Sequence, residues 1–149
     1  MPDPLWINAS GGSPAYDGRE LRRAFAAFLA QGVADRFGAR SGVSPAGNQA
    51  LTISGMTVTV NDLKAVVYAT GTALRGPYIV QLPGKTHAVP TADLSLPRKD
   101  IVQLQIRDHD EDASGLREAD TVYKTGAPNA TPVEPATDTY AVRLATIDV

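Results

Sequence analysis

Cysteine is absent from the 149 residues. That removes a disulfide framework, a thiolate metal site and a cysteine nucleophile, while leaving the redox compartment unassigned. Histidine is nearly as scarce. His87 and His109 stand on separate segments, and neither has a second histidine at helix or strand spacing, so a histidine-paired metal catalyst is not expected. An excess of one charge is missing too: 14 Lys and Arg stand against 16 Asp and Glu, and the net charge of -2 gives no electrostatic ground for a nucleic-acid or anionic-membrane partner. No apolar run approaches the ~20 residues of a membrane span, and "MPDPLWINASGG" has neither a basic nor an apolar segment, so neither a transmembrane helix nor a secretory signal is expected. There is no G-x-S-x-G elbow. "ASGGS" lacks the core strand and following helix of a phosphate loop and reads as a turn.

What is present describes one globular domain over residues 1–149, with 43% hydrophobic residues to build a core. "PLWINASGG" has the composition of a short strand, with Leu5 and Ile7 on one face and Trp6 on the other. The period then changes. "DGRELRRAFAAFLAQG" carries Leu21, Phe25 and Phe28 at i, i+4 and i+7, which predicts a helix whose apolar stripe docks on the core through the two phenylalanines. Asp17 is placed to cap it, Glu20 completes a capping box, and Gly32 is placed to close the far end. Short extended runs follow at "LTISGMTVTV", "AVVY", "YIVQL", "DIVQLQI", "TVYKT" and "YAVRLATIDV". In the first, Met56, Val58 and Val60 alternate with Thr57 and Thr59; in "DIVQLQI", Ile101, Leu104 and Ile106 mark a central strand, with Val102 widening its apolar surface. The stretch 126–138 holds three prolines and no aromatic residue, so it reads as an extended surface connection inside the domain. The fold class expected is α+β, mainly β, with one N-terminal amphipathic helix packed on short antiparallel strands in a sandwich or barrel-like arrangement.

Chemistry concentrates in "RDHDEDASGLRE". Asp108, Asp110 and Asp112 alternate there, as oxygen ligands of a calcium loop would. The sixth and twelfth positions counted from Asp108 are Ala113 and Ala119, where an EF-hand needs Gly and Glu, so a hairpin loop with Asx turns and Gly115 at positive φ is the simpler reading. His109 lies among these acids in a solvated setting. Arg19, Arg22 and Arg23, with Arg36 and Arg40, offer a basic patch, but Asp17, Glu20 and Asp35 interleave with them, as on a polar helix face. Trp6, Tyr16, Tyr68, Tyr78, Tyr123 and Tyr140 are enough rings for a sugar platform, although aromatics in short strands ordinarily pack cores. No nucleophile, base and orienting group come together, so no catalytic residue, cofactor-binding residue or enzymatic activity is assigned.

The succession "WINASGGSPAYDGRELRRA", "GARSGV", "GMTVTV", "GPYIVQL", "PRKDIVQLQIRDHDEDASGLREA" and "TGAPNATPVEPATDTYAVRLATIDV" resembles a module of minor tail and baseplate proteins of phages infecting actinobacteria, over nearly the whole chain. Its most recognisable part is "PRKDIVQLQIRD", Pro97 to Asp108, joined through the acidic loop to "GLREA". The resemblance implies a strand, a variable charged loop and a returning strand, with structural rather than catalytic motifs. It further implies a virion protein made in the host cytoplasm, needing no cofactor, that assembles as a homotrimer and with other tail or baseplate proteins. The alternative is a small β-sandwich module recognising a host cell-surface glycan, with calcium at Asp108, Asp110 and Asp112.

Overall fold

A computed structural model describes residues 17–32, 37–44, 51–68 and 75–149. The strand expected around Leu5, Trp6 and Ile7, and the residues Tyr16, Asp35 and Arg36, lie outside these. The fold is mainly β, with a short helix α1 (Gly18–Phe25) near its start and a helical turn α2 (His109–Asp112). Among the described residues no barrel closes.

The strands β1 (Gly42–Ser44), β2 (Leu51–Ser54), β3 (Thr57–Val60), β4 (Leu63–Val67), β5 (Tyr78–Leu82) and β6 (Lys85–Ala88) form two three-stranded sheets, ordered β1-β4-β5 and β2-β3-β6. The two sheets are one ribbon bent at a corner. The register that pairs Val67 with Tyr78 and Leu63 with Leu82 continues unchanged into Val60 with Lys85 and Thr57 with Ala88. Asn61–Asp62 and Pro83–Gly84 make the bend. There Gly84 N–H donates to Asp62 Oδ1 at 2.7 Å, and a Cβ on Gly84 would stand 3.0 Å from the Val60 carbonyl oxygen, which is why a glycine suits the inside of the corner. The bend inserts one residue into the alternation, so that Val58, Val60, Leu63, Ala65 and Val67 all point inward and are buried.

"LTISGMTVTV" is therefore two strands and not one. Gly55, at φ 56°, takes the first central position of a two-residue hairpin loop, and Met56 follows it there, exposed, instead of joining Val58 and Val60 in the core.

The third sheet, β8-β7-β9, comprises β7 (Lys99–Asp108), β8 (Arg117–Lys124) and β9 (Ala141–Asp148). β7 is central, as "DIVQLQI" predicts. Val102, Leu104 and Ile106 on one face join the inward residues of the bent ribbon, together with Tyr140 and Ile147. The other face is covered as well. β8 and β9 are both antiparallel to β7, so the chain between them must cross β7 and run back along it; this crossing is the proline-rich stretch 126–138. It is fixed to the sheet by polar groups: Gln103 Nε2 donates to Asp138 at 2.6 Å, Lys124 Nζ to Asp138 and to the Ala136 carbonyl at 2.7 Å each, and Thr146 Oγ1 to Glu134 at 2.9 Å. With both faces covered, Ile101 and Gln103 are as buried as Val102 and Leu104.

At the start of β7 an ionic group is fully enclosed. Arg98 Nε lies 3.1 Å from both oxygens of Asp100, which also accept from Tyr123 Oη at 2.6 Å and from Gly126 N–H at 2.8 Å. The remaining Arg98 nitrogens donate to the carbonyls of Pro90 and Thr91. One buried carboxylate thus ties the segment before β7, β8 and the start of the crossing to a single point.

Candidate interaction surface

α1 forms where the sequence predicts it. Asp17 accepts from Glu20 N–H at 2.8 Å while the Glu20 carboxylate accepts from Asp17 N–H at 3.2 Å, a complete capping box. The α-helix ends at Phe25, continues as one 3-10 turn to Phe28, and gives way at Leu29 to extended backbone, so Gly32 does not close it. Gly32 instead lies against the backbone of Arg40.

The face that α1 turns to the protein is the reverse of the one expected. Leu21, Phe25 and Phe28 are 42%, 48% and 85% exposed, and no residue of α1 is buried. Phe25 and Phe28 do not anchor the helix. Arg19, Arg22, Arg23 and Ala26 recur at i, i+3, i+4 and i+7, and this second stripe faces the protein because a carboxylate waits there. The short helix agrees with this, since an apolar face left in water gives further turns nothing to pack on.

That carboxylate is Glu111, whose side chain is only 2% exposed. Its Oε1 accepts from Arg19 Nε at 3.1 Å and Nη2 at 2.9 Å, with Arg22 Nη2 at 3.5 Å; its Oε2 faces Arg75 Nε at 2.5 Å. Arg22 also donates to the Arg75 carbonyl at 3.1 Å, lies 3.6 Å from Asp108 Oδ2 and stacks over the Tyr78 ring with its Cζ 4.3 Å from the centroid. Tyr78 Oη donates to Asp108 at 2.8 Å, the Tyr78 and Tyr140 rings meet edge to face at 6.2 Å, and Arg75 donates to the Tyr140 hydroxyl. Burial, reinforced by the bond to Asp108, pushes the Tyr78 hydroxyl well above its ordinary range, so it stays a donor. Gly76, at φ 72°, lets the backbone of Arg22 and Arg23 approach: a Cβ there would come within 2.8 Å of it.

Glu111 can reach this place because "DHDEDASG" is a hairpin loop containing one helical turn. Asp108 caps α2 by accepting from Asp110 N–H at 3.3 Å, and Ala113 at φ 55° ends it in the left-handed region, two residues ahead of Gly115 at φ 78°. The three aspartates diverge. Asp108 serves Tyr78 and Arg22, Asp110 pairs with Arg117 at 3.0 Å, and Asp112 accepts from Ser114 N–H at 2.9 Å. Among the described residues no three His, Asp or Glu side chains converge as metal ligands would. His109 accepts from Gly115 N–H through Nδ1 at 2.9 Å. The glutamate of this loop, which sequence reasoning passed over, is the residue that matters most; its i+3 spacing from Asp108 puts both carboxylates on the side of the turn that α1 occupies.

The described tyrosines do not assemble into a platform. Tyr78 and Tyr140 belong to the arginine cluster, Tyr68 is buried with its backbone N–H donating to Ser41 Oγ, and Tyr123 bonds Asp100. His87 lies apart from His109, with its Nε2 2.9 Å from Thr121 Oγ1 and its ring 6.4 Å from that of Tyr123. Burial, aided by Lys85, lowers its pKa below the ordinary value of 6.5.

Among the described residues, two of the places where apolar side chains stay exposed offer a continuous surface. One is the outer side of α1. The other is a groove of about 410 Å³ where the β2–β3 hairpin tip meets the end of β9, lined by Ile53, Met56, Val89, Ala92, Ile147 and Val149. Beside it β2 is hydrogen-bonded to β3 alone among the described residues. No family model, no curated protein and no solved structure matches the chain.

Proposed function

We propose that the chain is a virion structural protein of a phage tail or baseplate, working by assembly with copies of itself and with neighbouring tail proteins rather than by catalysis. The resemblance of its strand, charged-loop and strand succession to tail and baseplate modules supports the setting. The observation that carries the mode of action is the outward apolar side of α1, with Phe28 85% exposed while the polar side chains beneath the helix are paired. A capped helix holding its aromatic residues in water offers contact area to a neighbour. The edge of β2, unpaired among the described residues, and the groove beside it offer more.

Two measurements test this reading. Antibodies to the chain should decorate the tail or baseplate in micrographs of particles whose genome encodes it. Light scattering on the purified chain, at micromolar concentration and moderate salt, should give the mass of three copies, and a Phe25→Ser, Phe28→Ser variant should scatter as a smaller species with unchanged circular dichroism. A strict monomer that is absent from the particles overturns the proposal.

A further inference from the structure

We infer that α1 is an arm latched by charge, able to leave the β core while that core stays folded. This holds whether or not the chain belongs to a virion. Docked helices are ordinarily held by buried apolar side chains, and α1 buries none. Its contacts with the rest of the described residues include Arg19 and Arg22 on Glu111, Arg22 on Asp108, Tyr78 and the Arg75 carbonyl, Arg23 over the Phe37 ring, and a backbone approach at Gly76. These are polar and cation–π contacts, which water and salt can replace, whereas the inward residues of β3, β4 and β7 form an apolar core to which α1 contributes nothing.

The seat survives the departure of the arm. Glu111 keeps Arg75 at 2.5 Å, Arg75 keeps Tyr140, and α2 keeps its cap at Asp108, so the buried carboxylate is not stranded without a counter-charge. What leaves is a helix with arginines on one side and Leu21, Phe25 and Phe28 on the other. What remains is a seat of Glu111, Asp108, Tyr78 and Tyr140, with Arg75 still on Glu111. Arg19 is 42% exposed, so dissolved salt reaches its side of the latch, while the Arg22 pair, 19% and 2% exposed, is screened less.

Hydrogen exchange resolved by residue, on the full chain, separates the arm from the core. In an Arg19→Gln, Arg22→Gln variant the amides of Leu21 to Phe25 should lose protection by about tenfold or more, while those of Ile101 to Ile106 exchange as in the wild type. Raising salt from ~0.1 to ~1 M, which shortens the screening length from about 10 to about 3 Å, should move the wild type in the same direction by a smaller factor, because Glu111 is only 2% exposed. Glu111→Gln should do the same; should it unfold the whole chain instead, the arginine variant decides, because it leaves the seat intact. Loss of protection in α1 and β7 together in the arginine variant, or no change in either, overturns the latch and makes α1 part of the cooperative core.

Discussion

Replacing Asp100 by Asn removes one charge from the least accessible ion pair among the described residues. Asp100 is 0% exposed, and its two oxygens receive Arg98 Nε, Tyr123 Oη and Gly126 N–H. An asparagine can keep Gly126 on its carbonyl, but its amide then presents hydrogens toward Tyr123 and Arg98, and Arg98 loses its counter-charge while 4% exposed. Removing one partner of such a buried pair costs about 3–5 kcal/mol, mostly the penalty of the charge left behind. Against a total stability of about 5–15 kcal/mol this is a large fraction. For a chain of this size it lowers the melting temperature by roughly 6–20 °C. Urea unfolding followed by far-ultraviolet circular dichroism measures it, with an unchanged slope showing that the unfolding reaction is the same. Asp110→Asn is the matched control: its pair with Arg117 is 66% and 64% exposed, so about 0–1 kcal/mol is expected. A loss below about 1 kcal/mol for Asp100→Asn would refute the view that this carboxylate organises the junction of the pre-β7 segment, β8 and the crossing.

Other changes read different parts of the structure. Phe28→Ala should alter stability by less than about 0.5 kcal/mol, where a core phenylalanine would cost about 3–5; a loss above 2 kcal/mol in urea would place Phe28 in a core after all. Ala113→Gly relieves a left-handed residue with a side chain and should raise the unfolding free energy by roughly 0.5–1 kcal/mol, and the urea midpoint with it; a lowered midpoint would contradict the φ of 55°. His87 titrates lower in the folded than in the unfolded protein, so the unfolded chain takes up the proton first as pH falls. Stability should therefore hold above pH 6.5 and decline below it until the folded histidine also protonates, and the decline should be smaller in His87→Gln; identical pH profiles of the urea midpoint would show that His87 is not desolvated.

The parts of this protein that were legible in the sequence are those specified by neighbours along the chain. Asp17 and Glu20 close a capping box within one turn, so the start of α1 needs no tertiary partner. The runs that became β5, β7, β8 and β9, and the acidic hairpin loop with Gly115 at positive φ, were readable for the same reason: alternation and turn chemistry act over a few residues. The tertiary structure decided which of two equally periodic stripes of α1 faces inward. Leu21, Phe25 and Phe28 lost to Arg19, Arg22 and Arg23 because Glu111, 92 residues from Arg19, brings a nearly buried carboxylate to that side of the helix. Whether Met56 continued a strand depended likewise on β2 finding β3, and the burial of Gln103 on a crossing that returns through Asp138. Period and propensity say that a face exists; only the surface it meets determines which face is used, because that surface is assembled from residues far away in the chain.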